Sequence, residues 1–324
     1  MSQLIRSPFG RWRASQGRWV MGSNAGRLDF DIAVFAVNEA ATIGACIASI
    51  DQACAGRAAH ISVLLNGTTD NTIEILRSLR LAHTAMTVYR FDAADKANAI
   101  NHYLYELRRN AAIHIGVDAY ARIGEASFRA IADAFGTNPN ALIASGLPIS
   151  GRSAKTVAAN TMKGGMVNGQ CYAMRPEFID RLVAANFRLP LQLYRGDGLL
   201  GSMAAHDLDA MNKPWDDTRL IGVAEASFAV TPLSIVKPRD IRRQFNREIR
   251  QARGRIENEA IKTIIYTMGY AGLPSNANDM IKNWLKAAHP SPRSMREKYF
   301  TNLALQQLLL SKNIAPSNPA VLDI

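Results

Sequence analysis

Along the first third of the chain, short apolar runs alternate with stretches where apolar residues recur every three or four positions. IAVFAV at 32–37 is a continuous apolar run of strand length, and Ala40–Ile50 then sets Ile43, Ile47 and Ile50 at helical spacing. HISVLL at 60–65 predicts a second strand, which stops abruptly in Asn66-Gly67-Thr68-Thr69-Asp70. Thr72–Leu81 predicts a helix, MTVYRF at 86–91 a third strand, Ala97–Arg108 a helix, and IHIGV at 113–117 a fourth strand ending at Asp118. Beyond this the spacing predicts a strand at 141–146, a Gly-rich then apolar segment at 166–174, and a helix over Pro176–Ala185. Arg195-Gly196-Asp197 opens a helical stretch to about Asp209, 221–230 is strand-like, and 239–270, 276–288 and 296–312 are helical.

Strands alternating with helices of this length imply a parallel sheet built from βαβ units. Such sheets bind ligands outside the carboxyl ends of their strands. The polar clusters just past the four strands are therefore the candidate site: Asn38 and Glu39, Asn66 to Asp70, Asp92 to Lys96, and Asp118.

Composition narrows the picture. The 324 residues are 48% apolar, which suits a folded protein, and no apolar run approaches the roughly 18–20 residues that span a bilayer. The N-terminal stretch interleaves Trp12 and Trp19 with Arg6, Arg11, Arg13 and Arg18, and lacks the apolar core of a signal peptide. Three cysteines (Cys46, Cys54, Cys171) show no metal-binding or disulfide spacing, so a reducing cytoplasm is expected. A net charge of +11 calls for an anionic partner. Between Lys237 and Arg255, eight basic residues face two acidic ones, so this segment holds more than half of that charge. No helix-turn-helix, zinc or RNA-recognition signature accompanies it, and nucleic acid is not an expected partner.

Taken in order, the strand-end clusters resemble the family 2 glycosyltransferases of the GT-A fold. VNEAATIGACIASI resembles the family's first-strand element and LLNGTTDNTIEIL its second. DKANAINHYL resembles the Lys-x-x-Ala-x-Asn segment, and IHIGVDAYARI stands where the family has its Asp-x-Asp metal motif. VNGQCYAMRPEFI resembles the acceptor-side strand, and LYRGDGLLGSMAA and IGVAEASFAVTP resemble the Glu-Asp helix and the strand after it. The resemblance runs from about Asp31 to Gly254. It implies an α/β, Rossmann-like GT-A domain: a mixed, mostly parallel sheet flanked by helices, with a helical C-terminal extension. The expected organisation is a basic arm at 1–28, a catalytic domain at 29–236 (nucleotide half 29–120, acceptor half 121–236) and a basic, amphipathic region at 237–324.

The resemblance also implies roles. Asn38, Glu39, Asn66, Asp70, Lys96, Asp118 and Tyr120 would bind a nucleoside diphosphate sugar, with a UDP-sugar expected. Asn38 could instead cap the helix that follows, and Asp70 could face the dipole of the next one. Lys96 is placed for the diphosphate or base, and Asn101 reads as structural. The family's Mg²⁺ or Mn²⁺, which bridges the phosphates, would rest on Asp118 alone, because Tyr120 stands in place of the second aspartate and SFAVTP offers no histidine. Asp197 is the expected catalytic base of an inverting transfer to an acceptor hydroxyl. It is retained from the Glu-Asp pair, whose first member is Gly196 here. His206 reads as a surface residue. Arg247, Arg250 and Gly169 would meet the diphosphate or the acceptor. The polymerising members' Gln-x-x-Arg-Trp segment is matched either at Gln244–Glu248 or, in another register, at Arg250–Gly254, in both cases without the tryptophan. The expected acceptor is a glycan or lipid, and the basic termini imply peripheral attachment to an anionic inner membrane face. The alternative is a degenerate GT-A domain that binds nucleotide or glycan without turnover, since Leu65, Tyr120 and Gly196 all stand where acidic residues are usual.

Overall fold

The computed structural model describes residues 26–151, 153–231 and 236–324. Residues 1–25, which hold most of the basic arm with Trp12 and Trp19, lie outside the described residues. In chain order the elements are β1 (Leu28–Ala36), α1 (Ile43–Ala53), β2 (Ala59–Asn66), α2 (Thr72–Ser78), β3 (Ala85–Phe91), α3 (Lys96–His102), β4 (Ala111–Asp118) and β5 (Ala121–Ile123). They continue as α4 (Ser127–Thr137), β6 (Ile143–Pro148), α5 (Ala154–Met162), β7 (Cys171–Met174), α6 (Pro176–Ala184) and α7 (Gly196–Ala205). The last are β8 (Leu220–Val230), α8 (Pro238–Met268), α9 (Ala277–Trp284), α10 (Met295–Leu310) and β9 (Ala320–Leu322).

These strands form one mixed sheet in the order β5-β8-β6-β7-β4-β1-β2-β3-β9. β4, β1, β2 and β3 are mutually parallel, so their carboxyl ends share one edge. β7 returns antiparallel between β4 and β6, and β9 lies antiparallel along β3. Both faces of the sheet are covered. Phe30, Ile32 and Val34 of β1 pack with Ile43, Ile47 and Ile50 of α1, while Ala33 and Phe35 pack on the other side with α3, α6 and α7. Burial on both faces is why the strands read as unbroken apolar runs rather than alternating ones.

The predicted elements are all present, with shifts of a few residues at their ends. The helix expected to begin at Ala40 begins at Ile43, and the one expected over 97–108 closes through a π-helical turn at 103–107. α4 goes unpredicted although Phe128, Ile131 and Phe135 carry a helical period. β5 and β9 have three residues each, too few for alternation to show. Cys46, Cys54 and Cys171 are free and buried, and burial holds their thiols above the ordinary range, to about 12 at Cys54 and Cys171. Among the described residues no helix is long and apolar enough to cross a membrane.

At the edge of the sheet opposite the strand ends lies a buried polar knot. Asp31 Oδ2 accepts from Tyr103 Oη at 2.9 Å and from the Arg109 backbone at 2.8 Å, and His114 stands 3.5 Å away. His60 Nε2 pairs with Thr87 Oγ1 at 3.0 Å, and its Nδ1 lies 4.0 Å from Asp31. Burial, with Arg109 adding to it and Asp31 opposing it, pushes the His60 imidazole down to about 4. An unfolded histidine takes up its proton near pH 6.5. Between that pH and about 4 the unfolded chain therefore holds a proton the folded one refuses, and stability falls as pH drops through this window. Urea melts across the window should show the fall, and His60→Gln should make it shallower. An equally steep fall in the variant would show that other groups cause it.

Candidate active site

The loops after β1 and β2 are stitched together. Asn38 adopts the left-handed region (φ 51°), open to asparagine more than to most residues. Its Oδ1 accepts from the backbone N–H of Thr69 at 2.8 Å and of Asp70 at 3.2 Å. Asn38 is thus not a helix cap; α1 starts five residues later, behind Thr42. Asp70 returns the contact: Oδ2 accepts from Ala40 N at 3.1 Å, while Oδ1 accepts from both the N–H and the hydroxyl of Thr72. Burial acts to raise the Asp70 carboxyl, but these donors outweigh it and hold it below the usual carboxylate range. Glu39 accepts from the Thr42 hydroxyl at 2.7 Å, and its own carboxyl is raised, mainly by burial. Asn66 does not join this group: its Nδ2 donates to Leu64 O of its own strand, and its Oδ1 is buried without a partner. Leu65 lies wholly in the core.

The chemistry gathers at the ends of β4 and α3. Asp95 caps α3 by accepting from the N–H groups of Ala97 and Asn98, which fixes the start of the helix at Lys96. Lys96 Nζ reaches Asp118 Oδ1 at 2.5 Å and lies 5.2 Å over the Phe35 ring. The second Asp118 oxygen accepts from Tyr120 Oη at 2.8 Å, and Gln170 Nε2 donates to that hydroxyl at 3.2 Å. Burial alone would lower the Lys96 pKa, but the charges of Asp118 and then Asp197 raise it above that of an ordinary lysine.

Asp197 sits in the first turn of α7 with its carboxylate laid on Gly169, where any Cβ would overlap it. Its carboxyl is raised chiefly by burial; Asp118 adds to this, while Lys96, the Gly198 N–H and Arg195 oppose it. The residue before it, Gly196, is buried, and a Cβ there would already stand 3.0 Å from Leu189. A side chain at that position would press on Leu189, which would have to give way by a few tenths of an ångström. Asn101 is structural, as its position implied, exchanging hydrogen bonds with both backbone groups of Leu189. His206 is buried rather than on the surface; it bonds Lys213 O and the Tyr266 hydroxyl.

The basic helix α8 runs past this cluster. Buried Glu257 accepts from Tyr194 N and from Arg253, which also donates to Gln192 O at 2.8 Å. Arg195 donates to Gln251 at 2.7 Å, and Gln251 donates to the Tyr194 hydroxyl at 3.2 Å. Gln251 and Arg253 thus seat α8 against the 192–195 segment, while Gln244 bonds only Glu248. Farther toward the start of the helix, Arg243 is close enough to Glu39 to draw its carboxyl down. Positions 243, 247, 250 and 254 are spaced by four, three and four residues and share one face of the helix. Arg247 and Arg250 thus lie between Glu39 and Arg195, both exposed, and neither is hydrogen-bonded or ion-paired among the described residues. Gln170, Gln192, Tyr194 and Glu257 escaped the sequence reading. Only Glu257 carries a signal there, an acid four residues after Arg253 in a basic helix.

Gly254 is the notch that lets α8 ride on this loop, since a Cβ there would stand 2.5 Å from Arg195 Nε. Alanine normally stabilises a helix interior by about 1 kcal/mol over glycine. Gly136 of α4 is exposed with open space around it, so Gly136→Ala should raise Tm, while Gly254→Ala should lower it despite the same gain in propensity. Equal shifts in thermal melts would remove the packing explanation.

No family model and no curated protein matches the sequence. Solved structures do match by shape. The mannosyltransferase PcManGT from Pyrobaculum calidifontis, in complex with GDP-Man and Mn²⁺, aligns with 88% of this chain and 81% of its own at TM-score 0.54 and 17% identity. S. aureus TarS residues 1–349, in complex with UDP-GlcNAc, aligns with 87% of this chain and 80% of its own at TM-score 0.50 and 12% identity. At these identities the likeness is one of architecture, and the architecture is that of the GT-A fold.

Proposed function

We propose that this chain is an inverting glycosyltransferase that moves a sugar from a nucleoside diphosphate sugar, a UDP-sugar being the first to test, to the hydroxyl of a glycan or lipid. The observation that carries the reading is the Asp197 carboxylate, buried on Gly169 beside Lys96 and Asp118 at the carboxyl edge of the parallel strands. In this reading the interlocked loops of Asn38, Glu39 and Asp70 hold the nucleoside. The acceptor hydroxyl gives its proton to Asp197 as its oxygen bonds the anomeric carbon. The bond from that carbon to the phosphate oxygen breaks, and the nucleoside diphosphate leaves with the electron pair. A phosphate leaving group needs charge stabilisation more than protonation, so one carboxylate base suffices.

A raised carboxyl makes Asp197 a stronger base but lets it protonate at higher pH, so kcat should fall on the acid side above the usual carboxylate range. Lys96 opposes that rise, so Lys96→Met, assayed at saturating donor, should move the acid limb to higher pH. Asp197→Asn should lower kcat by about 10²–10⁴-fold with donor affinity kept. Donor binding with no turnover in the parent chain, and an Asp197→Asn variant indistinguishable from it, would support the degenerate-domain reading instead.

A membrane-borne acceptor is favoured by the surface of α8 and α10. Ile241, Phe245, Met295 and Tyr299 are exposed beside the arginines, and Phe245 packs edge-on against Phe300 to join the two helices. The chain should float with phosphatidylglycerol-containing vesicles at low salt and be released by high salt. Phe245→Asp should weaken flotation, and a parent protein that stays in solution refutes the attachment.

A further inference from the structure

The GT-A fold implies a divalent ion at the position of Asp118, and the side chains there do not suit one. Mg²⁺ and Mn²⁺ take several hard oxygen ligands and commonly share one or two carboxylates with the substrate phosphates. Both oxygens of Asp118 are already engaged, one by the Lys96 ammonium at 2.5 Å and the other by the Tyr120 hydroxyl at 2.8 Å. Tyr120 stands where the second carboxylate would be, and Gln170 holds it there. An ion on Asp118 would have to displace Lys96 or sit against it, cation on cation. Among the described residues no group of three or more His, Cys, Asp or Glu side chains is placed to hold a metal.

Positive charge reaches the same place by another route. Lys96 keeps part of its side chain open to solvent while paired. Arg247 and Arg250 lie on the face of α8 between Glu39, in the nucleoside loops, and Arg195, beside the candidate base. Planar guanidinium groups match phosphate geometry with paired hydrogen bonds, and they supply charge without proton uptake. Resting on the nucleotide-sugar reading above, we propose that Lys96, Arg247 and Arg250 neutralise the donor's diphosphate and that this chain binds its donor without a divalent ion. In the transfer step the same cations receive the charge that builds on the departing diphosphate oxygen.

The test is calorimetry of the full chain with UDP, GDP and UMP, first in excess chelator and then with Mn²⁺. UDP or GDP affinity should agree within about twofold between the two conditions. The double variant Arg247→Ala, Arg250→Ala removes two exposed, unpartnered side chains, so it should fold normally and weaken diphosphate binding by about tenfold or more. Its preference for UDP over UMP should shrink with it. Lys96→Met should act in the same direction, with thermal melts to confirm folding. Binding that chelator abolishes and Mn²⁺ restores overturns the inference and leaves the nucleotide-sugar reading standing. Metal-indifferent binding that the arginine substitutions leave unchanged overturns the role given to α8. No nucleotide binding in either condition overturns the nucleotide-sugar reading and the inference with it.

Discussion

The ion pair between Lys96 and Asp118 joins the start of α3 to the end of β4, and the surrounding structure holds its two ends in register. Drawing an ammonium and a carboxylate out of water costs several kcal/mol per ion, and a short contact alone does not repay it unless the remaining polar atoms are also satisfied. Here the second carboxylate oxygen has the Tyr120 hydroxyl, and the ammonium lies over the Phe35 ring. The backbones are fixed as well. Asp118 N donates to Gln170 O, and the Asp95 cap sets where α3 begins.

From Asp95 the constraint passes outward. Its free oxygen accepts from Gln192 N at 2.8 Å, and Gln192 is held in a left-handed conformation by its side chain. That one amide oxygen accepts from Asn276, Asn278 and Ile314, while Arg253 of α8 donates to the Gln192 carbonyl. The helical C-terminal region is therefore part of the scaffold that aims Lys96. The acidic character usual for this fold has been rebuilt at the same point. Glycine stands before Asp197, packed closely against Leu189, and a phenol stands two residues after Asp118, so the cluster carries fewer negative charges beneath a cationic helix.

Much of this was legible in the sequence because it is local. The β1 to β4 runs, the helical period of α1 and the polar residues just past each strand name the edge where the cluster forms. Asp118 and Lys96 follow from that order, Asp197 and Gly169 only from the family resemblance, and the structure brings these four together. Position in a turn does not say where a side chain points, and Asn66 turns back to Leu64. Asn38 was open between capping and binding, and only the approach of Thr69, thirty-one residues away, decides how its oxygen is used. Gln192 and Tyr194 carry no pattern at all. Their importance comes from partners sixty to more than a hundred residues distant, information that periodicity does not contain.

The last strand has a consequence for how the molecule comes into being. After α10 the chain turns back across the candidate site's edge. Ser317 O accepts from Asn98 in α3, Ile314 bonds Gln192, and β9 then lies along β3. During synthesis the nucleoside-side strands emerge first and can pair early, since their contacts are close in sequence. The first turn of α3, which carries Lys96, gains its outer support only when residues beyond Leu310 have left the ribosome and closed a connection more than two hundred residues long. An unfinished chain would thus present a formed sheet with an unsupported cluster, and assembly of the site becomes a late event in the life of each molecule.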